Sequence, residues 1–206
     1  MHDDVHHGSS MNMVKAYIGY HEDKVAIKWY RGSFDRGEEY CKKVVREAKE
    51  SARVVRAFMN EVDTRGWTVR VAIPRITEVY SEGHDAERTV LVEPYLSHFE
   101  SFYETADDIA YGSNRAYHRV IHALLHFSIW HTRGRGILAD LKGSVDREMK
   151  EIILSAPSVI HHAEREHRHS GTGIFSFLSE HVCSRMCKET IRYRSHLRFS
   201  DDTSLW

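Results

Sequence analysis

Near its C-terminal end the sequence carries His181, Cys183 and Cys187, three soft donors in an H-x-C-x-x-x-C spacing. Phe175, Leu178, Val182 and Met186 recur at helical spacing, which predicts one helix from about Gly173 to Glu189. Residues four apart share a helix face, so Cys183 and Cys187 project together there, and the imidazole of His181 swings to the same point from the edge of that face. Such donors suit a tetrahedral zinc ion, which needs a fourth ligand. Two ordinary buried thiols beside a packed histidine are the other reading of the same residues. Farther up the chain, Ile137-Leu138-Ala139-Asp140-Leu141 is a short apolar strand with a single acid. A carboxylate ending a buried strand is costly unless it is paired or used. Lys28 closes the run Val25-Ala26-Ile27-Lys28, a strand position from which an ammonium can meet an anion, although strand lysines are usually just solvated.

The elements that must hold these groups are legible from periodicity. Residues 1–12 are polar and His/Ser-rich and are expected to be a disordered arm. Val14, Ala16 and Ile18, a turn at 19–23, and Val25 to Tyr30 predict a hairpin. Tyr40, Val44, Ala48, Val55 and Phe58 then predict an amphipathic helix over 36–60. Strands are expected over 68–76 and 89–92, with a polar loop at 81–87 between them. Pro94 suits a connector, which divides the chain into an N-terminal lobe over 13–92 and a C-terminal lobe over 93–189, with a polar tail over 190–206. A second helix spans 114–131, the Asp140 strand follows, and a polar, partly helical segment runs to Ser155.

Composition narrows the function. Lysine plus arginine (29) balances aspartate plus glutamate (30), so net charge suggests neither nucleic acid nor a membrane surface as a partner. No apolar run is long enough to span a bilayer, and the first residues lack a signal-peptide pattern. Three cysteines, an odd number, suit metal ligation in a reducing compartment better than disulfides. A soluble cytoplasmic protein is expected. No H-E-x-x-H spacing supports a zinc hydrolase.

Four motifs, in order, resemble the α-kinase family of atypical protein kinases: Val25-Ala26-Ile27-Lys28 followed by a charged helix, the hinge Val92-Glu93-Pro94-Tyr95-Leu96, Leu125-His126-Phe127-Ser128 ahead of Ile137-Leu138-Ala139-Asp140-Leu141-Lys142-Gly143, and Phe177 to Cys187. The resemblance implies an α+β, bilobed protein-kinase-like fold with a structural zinc in the C-terminal lobe, and a serine/threonine kinase using ATP and magnesium on a protein substrate. It implies that Lys28 contacts the phosphates, with Lys15 as a second basic contact. Glu93 would bind adenine with the backbone of Tyr95 and Leu96, Asp140 would orient the substrate hydroxyl and accept its proton, and His126 would complete the zinc set of His181, Cys183 and Cys187. With four protein ligands that zinc has no open position and is structural.

The chain also departs from the family pattern. Lys142 replaces a magnesium-holding glutamine, and Ala156-Pro157 replaces an Asp-Pro element. An ammonium cannot ligate a metal, so Asp146 is the remaining acid that can assist, or Lys142 itself can pair with phosphate. The alternative reading is a zinc-stapled pseudokinase that binds nucleotide or acts as a scaffold.

Overall fold

The computed structural model describes residues 5–7, 10–18, 23–32, 37–81, 84–102, 116–161 and 183–187. The strands are β1 (His6–His7), β2 (Met11–Ile18), β3 (Asp23–Tyr30), β4 (Thr68–Ala72), β5 (Arg75–Ser81), β6 (His84–Pro94), β7 (Glu100–Ser101), β8 (Gly136–Ala139), β9 (Lys142–Asp146), β10 (Glu151–Ser155) and β11 (Ser158–His161). The long helices are α1 (Gly37–Glu61) and α2 (Ala116–His131). Among these residues the strands form a sheet of order β1-β2-β3-β6-β5, a second of order β4-β10-β9-β7, and the pair β11-β8.

The expected hairpin forms, with β2 antiparallel to β3 from Met11 opposite Tyr30 to Ile18 opposite Asp23. Helix α1 carries Glu38 and Glu39 in its first turn, where acids complement the helix dipole, and buries Cys41, Ala48, Ser51, Val54, Val55 and Phe58. Helix α2 is buried along most of its surface through Tyr117, Val120, Ile121, Leu124, Leu125 and Phe127. An α-helix apolar nearly all round belongs inside a fold. The two helices meet where Phe58 and Phe127 pack edge to face with centroids 5.5 Å apart. One core joins them to Trp67 and Val69 and to Ile137, Leu138, Leu141, Ile152, Leu154 and Val159 from the later strands.

Several elements differ from the sequence expectation. Part of the expected disordered arm is ordered, since His6 and His7 pair with Met13 and Asn12 and β2 already begins at Met11. The single strand expected over 68–76 is two strands in different sheets, because β4 runs parallel to β10 whereas β5 pairs with β6. Pro74 explains the switch, as a residue without an N–H cannot carry a ladder onward. β4, from the first half of the chain, therefore lies in a sheet with later strands. The polar stretch at 81–87 belongs largely to the β5–β6 hairpin, whose pairing reaches Ser81 opposite His84. Strand β6 continues through Pro94, opposite Val25. The partly helical segment before Ser155 is instead the hairpin β9–β10, closed by a turn at 147–150. Val145, Ile152 and Ile153 are β-branched and favour the pleated surface. Among the described residues no helix is long and apolar enough to cross a membrane.

Gly143 shows how tightly that hairpin closes. A Cβ built there would lie 1.9 Å from the carbonyl oxygen of Ile153 on β10. The neighbour is backbone, so it cannot move aside without breaking the ladder. Gly143→Ala is expected to destabilise the fold by about 3 kcal/mol in urea denaturation, and unchanged stability would show that the β9–β10 register is wrong.

Candidate active site

Directly opposed residues on paired strands point to the same side of a sheet. Lys15 faces Ala26 and Ala26 faces Glu93, which places these three on one side of the first sheet, and Lys28, two residues beyond Ala26, lies on that side too. Glu93 is only 3% exposed. A carboxylate so deeply buried needs compensation, and it has it. Lys28 Nζ pairs with Glu93 Oε1 and also donates to Ser155 Oγ at 3.0 Å, while Ser155 Oγ donates to Glu93 Oε1 at 2.8 Å. Ser155 ends β10, so this triangle ties the first sheet to the second. Glu93 Oε2 is buried and has no hydrogen-bond partner among the described residues.

Asp140 follows β8 with φ 54°, the left-handed region that aspartate tolerates better than most residues. It is exposed, and its Oδ2 accepts from Ser158 Oγ at 3.2 Å. Ser158 starts β11, opposite Ala139. Lys142, also exposed, begins β9 two residues on. Ala156 holds φ 41° between the two serines.

The structure does not gather every expected residue here. Asp146 is at the far end of β9, about 13 Å from Lys142 at the usual strand rise. Its Oδ1 accepts from the N–H groups of Glu148 and Met149 at 3.0 and 2.9 Å, capping the 147–150 turn. Lys15 Nζ stands 5.4 Å from the ring centroid of Tyr17 and 5.1 Å from that of Tyr95, a cation–π position at the hinge end of the sheet. The N–H of Tyr95 donates to Lys24 O at 3.0 Å, which commits that expected backbone donor to the sheet. Leu96 follows, half-buried.

The metal donors are partly described. His126 Nδ1 on α2 lies 3.6 Å from Cys183 Sγ, so two residues 57 apart in the sequence approach each other. Burial pushes the His126 pKa down, which keeps its imidazole neutral and able to ligate. Cys187 is fully buried, and burial pushes its thiol up, with Ser184 opposing and the charge of Cys183 adding. The expected helix from Gly173 is corrected where it is described. Cys183 and Ser184 are not helical, and 185–187 are. Ser184 Oγ accepts from the N–H of Cys187 at 3.4 Å, the N-cap role by which a serine starts a helix. Cys183 therefore meets His126 from ahead of the helix and not from its face. His181 lies outside the described residues. Among the described residues no group of three or more His, Cys, Asp or Glu side chains is placed to hold a metal ion.

Sequence reasoning missed Ser155, Ser158 and Ser51, whose Oγ donates to Pro157 O at 2.8 Å. Serines are too common to stand out. The one signal was the place of Ser155 and Ser158 around Ala156-Pro157, and Ser51 on α1 had none.

The family model for the alpha-kinase family matches residues 6–187. The chain belongs to the alpha-kinase family. Its fold resembles that of a solved alpha kinase from Entamoeba histolytica, with a TM-score of 0.67 at 16% identity over 89% of this chain and 74% of that one. It also resembles the alpha-kinase domain of myosin heavy chain kinase A in complex with AMP, with a TM-score of 0.64 at 14% identity over 91% and 89% of the two chains. The ADP complex of that domain gives a TM-score of 0.63 at 14% identity over 90% and 84%. No curated protein sequence matches this chain.

In this alpha-kinase chain the Lys28–Glu93 pair is the most buried charge interaction described, and removing one partner strands the other. Lys28→Met is expected to destabilise the fold by about 3 kcal/mol in urea denaturation, and adding Glu93→Leu to recover part of that loss. Lys28→Met with wild-type stability would contradict the pairing.

Proposed function

We propose that the chain is a serine/threonine protein kinase that binds ATP beside the Lys28–Glu93 pair and transfers its terminal phosphoryl group to a protein hydroxyl at Asp140. The observation that carries this reading is that Lys28 and Asp140 are both hydrogen-bonded to one four-residue segment, through Ser155 and Ser158. Three residues span at most about 11 Å. Phosphoryl transfer is chiefly positioning and charge neutralisation, so a cation and a base on one rigid segment are what the reaction requires. Lys28 turns its ammonium to the phosphates. Glu93 Oε2, a buried acceptor lacking a partner among the described residues, suits the amino group of adenine. Asp140, exposed at a strand end and held at one oxygen by Ser158, presents the other oxygen to the substrate hydroxyl and takes its proton.

Magnesium finds no matching set among the described residues. Lys142 and Ala156 carry no ligating oxygen on their side chains, and Asp146 is used by its own turn. Lys142 and Ala156 favour the second reading, a pseudokinase that binds nucleotide without turnover. Transfer of labelled phosphate from ATP to a basic test protein, abolished by Asp140→Ala, is the outcome expected of the kinase. Absence of transfer with any divalent metal, combined with stabilisation by ATP in chelator, would establish the pseudokinase instead.

For zinc the support is the donor types and the 3.6 Å approach of His126 Nδ1 to Cys183 Sγ. His126, Cys183 and Cys187 would hold it, with His181 as the fourth ligand, and the ion would cross-link α2 to the 183–187 segment. Apparent zinc affinities of roughly 10 to 16 kcal/mol rival the stability of a whole domain. One zinc per chain is expected by elemental analysis, lost in His126→Ala, with a large fall in melting temperature on chelation. A metal-free chain with unchanged melting behaviour would exclude it.

A further inference from the structure

We infer that Ser155 is the positioning residue of Lys28, holding its ammonium toward the phosphates from a rigid corner at 155–158 that also carries the hydrogen-bond partner of Asp140. The inference rests on the nucleotide-binding reading above and adds to it a residue that neither composition nor motif marks.

The hydroxyl of Ser155 bonds in both directions. Its single proton goes to Glu93 Oε1 at 2.8 Å, and its oxygen receives Lys28 Nζ at 3.0 Å. The residue is 2% exposed, so water does not compete for either bond. A lysine side chain has four rotatable bonds and many rotamers, and an ion pair to a carboxylate restricts it only loosely. A second acceptor fixed to another strand defines the direction of the ammonium.

That acceptor is only as rigid as its backbone, and the corner is fastened at each step. Ser155 sits in the β10 ladder opposite Ala72 of β4. Ala156 takes the left-handed conformation, with φ 41°, that turns the chain out of the second sheet. Pro157 restricts its own φ, and its carbonyl accepts from the buried Ser51 of α1 at 2.8 Å. Ser158 opens β11 and donates to Asp140 Oδ2 at 3.2 Å. A shift of the corner would therefore move Lys28 and Asp140 together, keeping the phosphate cation and the base in step.

A positioning role predicts a loss confined to the phosphates. Calorimetric titration of the full chain with ATP and with adenosine separates the two contributions. Ser155→Ala is expected to weaken ATP by about tenfold or more while adenosine changes by less than about threefold, and Ser155→Thr, which keeps the hydroxyl, to stay within about threefold of wild type for both. Should Ser155→Ala not fold, Ser155→Cys, a weak donor and acceptor of similar size, is expected to show the same ATP-selective loss. Equal loss of ATP and adenosine, or no loss of either, overturns the inference. Lys28→Met titrated in parallel tells apart two failures. If it lowers ATP affinity selectively and Ser155→Ala does not, only the role of Ser155 is overturned. If Lys28→Met leaves both ligands unchanged, or wild type binds neither, the nucleotide reading fails and the inference fails with it.

Discussion

A carboxylate almost wholly removed from water must be matched by a cation and by hydrogen bonds, or the fold that buries it does not persist. Glu93 is in that position, and Lys28 with Ser155 answers it. The three groups come from β6, β3 and β10, two strands of one sheet and one of another, so the requirement to satisfy one acid also sets how the sheets stand. Breaking the pair would leave a buried charge. The same contact places an ammonium at a defined point on the inner side of the first sheet, and the site is organised around that point.

Around this contact the strands and helices act as supports. β4 leaves the first half of the chain to run parallel to β10, which fixes the strand that ends in Ser155. Gly143 lets β9 approach β10 closely enough to complete the ladder. Helix α1 reaches the same place from the other side through Ser51. Asp140 and Ala156 both hold positive φ within this corner. Backbone conformations of that kind cost energy and are kept where the surroundings enforce them.

The sequence made much of this legible, and the physical reasons for the rest are specific. Lys28 and Asp140 were marked by their places in the family motifs, since a strand lysine is usually just solvated and Asp140 lies exposed after β8 and not buried within it. The two long helices were visible from their period. β4 was hidden because β4 and β5 share the β pattern, and only the pairing partner distinguishes them. Asp146 looked available because a sequence does not show that an aspartate two or three residues ahead of free N–H groups will cap a turn. Cys183 and Cys187 have helical spacing, yet Ser184 between them is a stronger signal for a helix start than the spacing is for its continuation. Convergence of His126 on Cys183 could come only from family resemblance, since no local pattern links residues so far apart.

The most direct test of the account is a crystal structure of the chain with a non-hydrolysable ATP analogue. The account predicts the analogue beside Glu93, Lys28 Nζ in contact with a phosphate oxygen while Ser155 Oγ still holds it, and the carboxylate of Asp140 facing the terminal phosphate. An analogue bound elsewhere, or a Lys28 turned to solvent with Glu93 satisfied by another group, would contradict it.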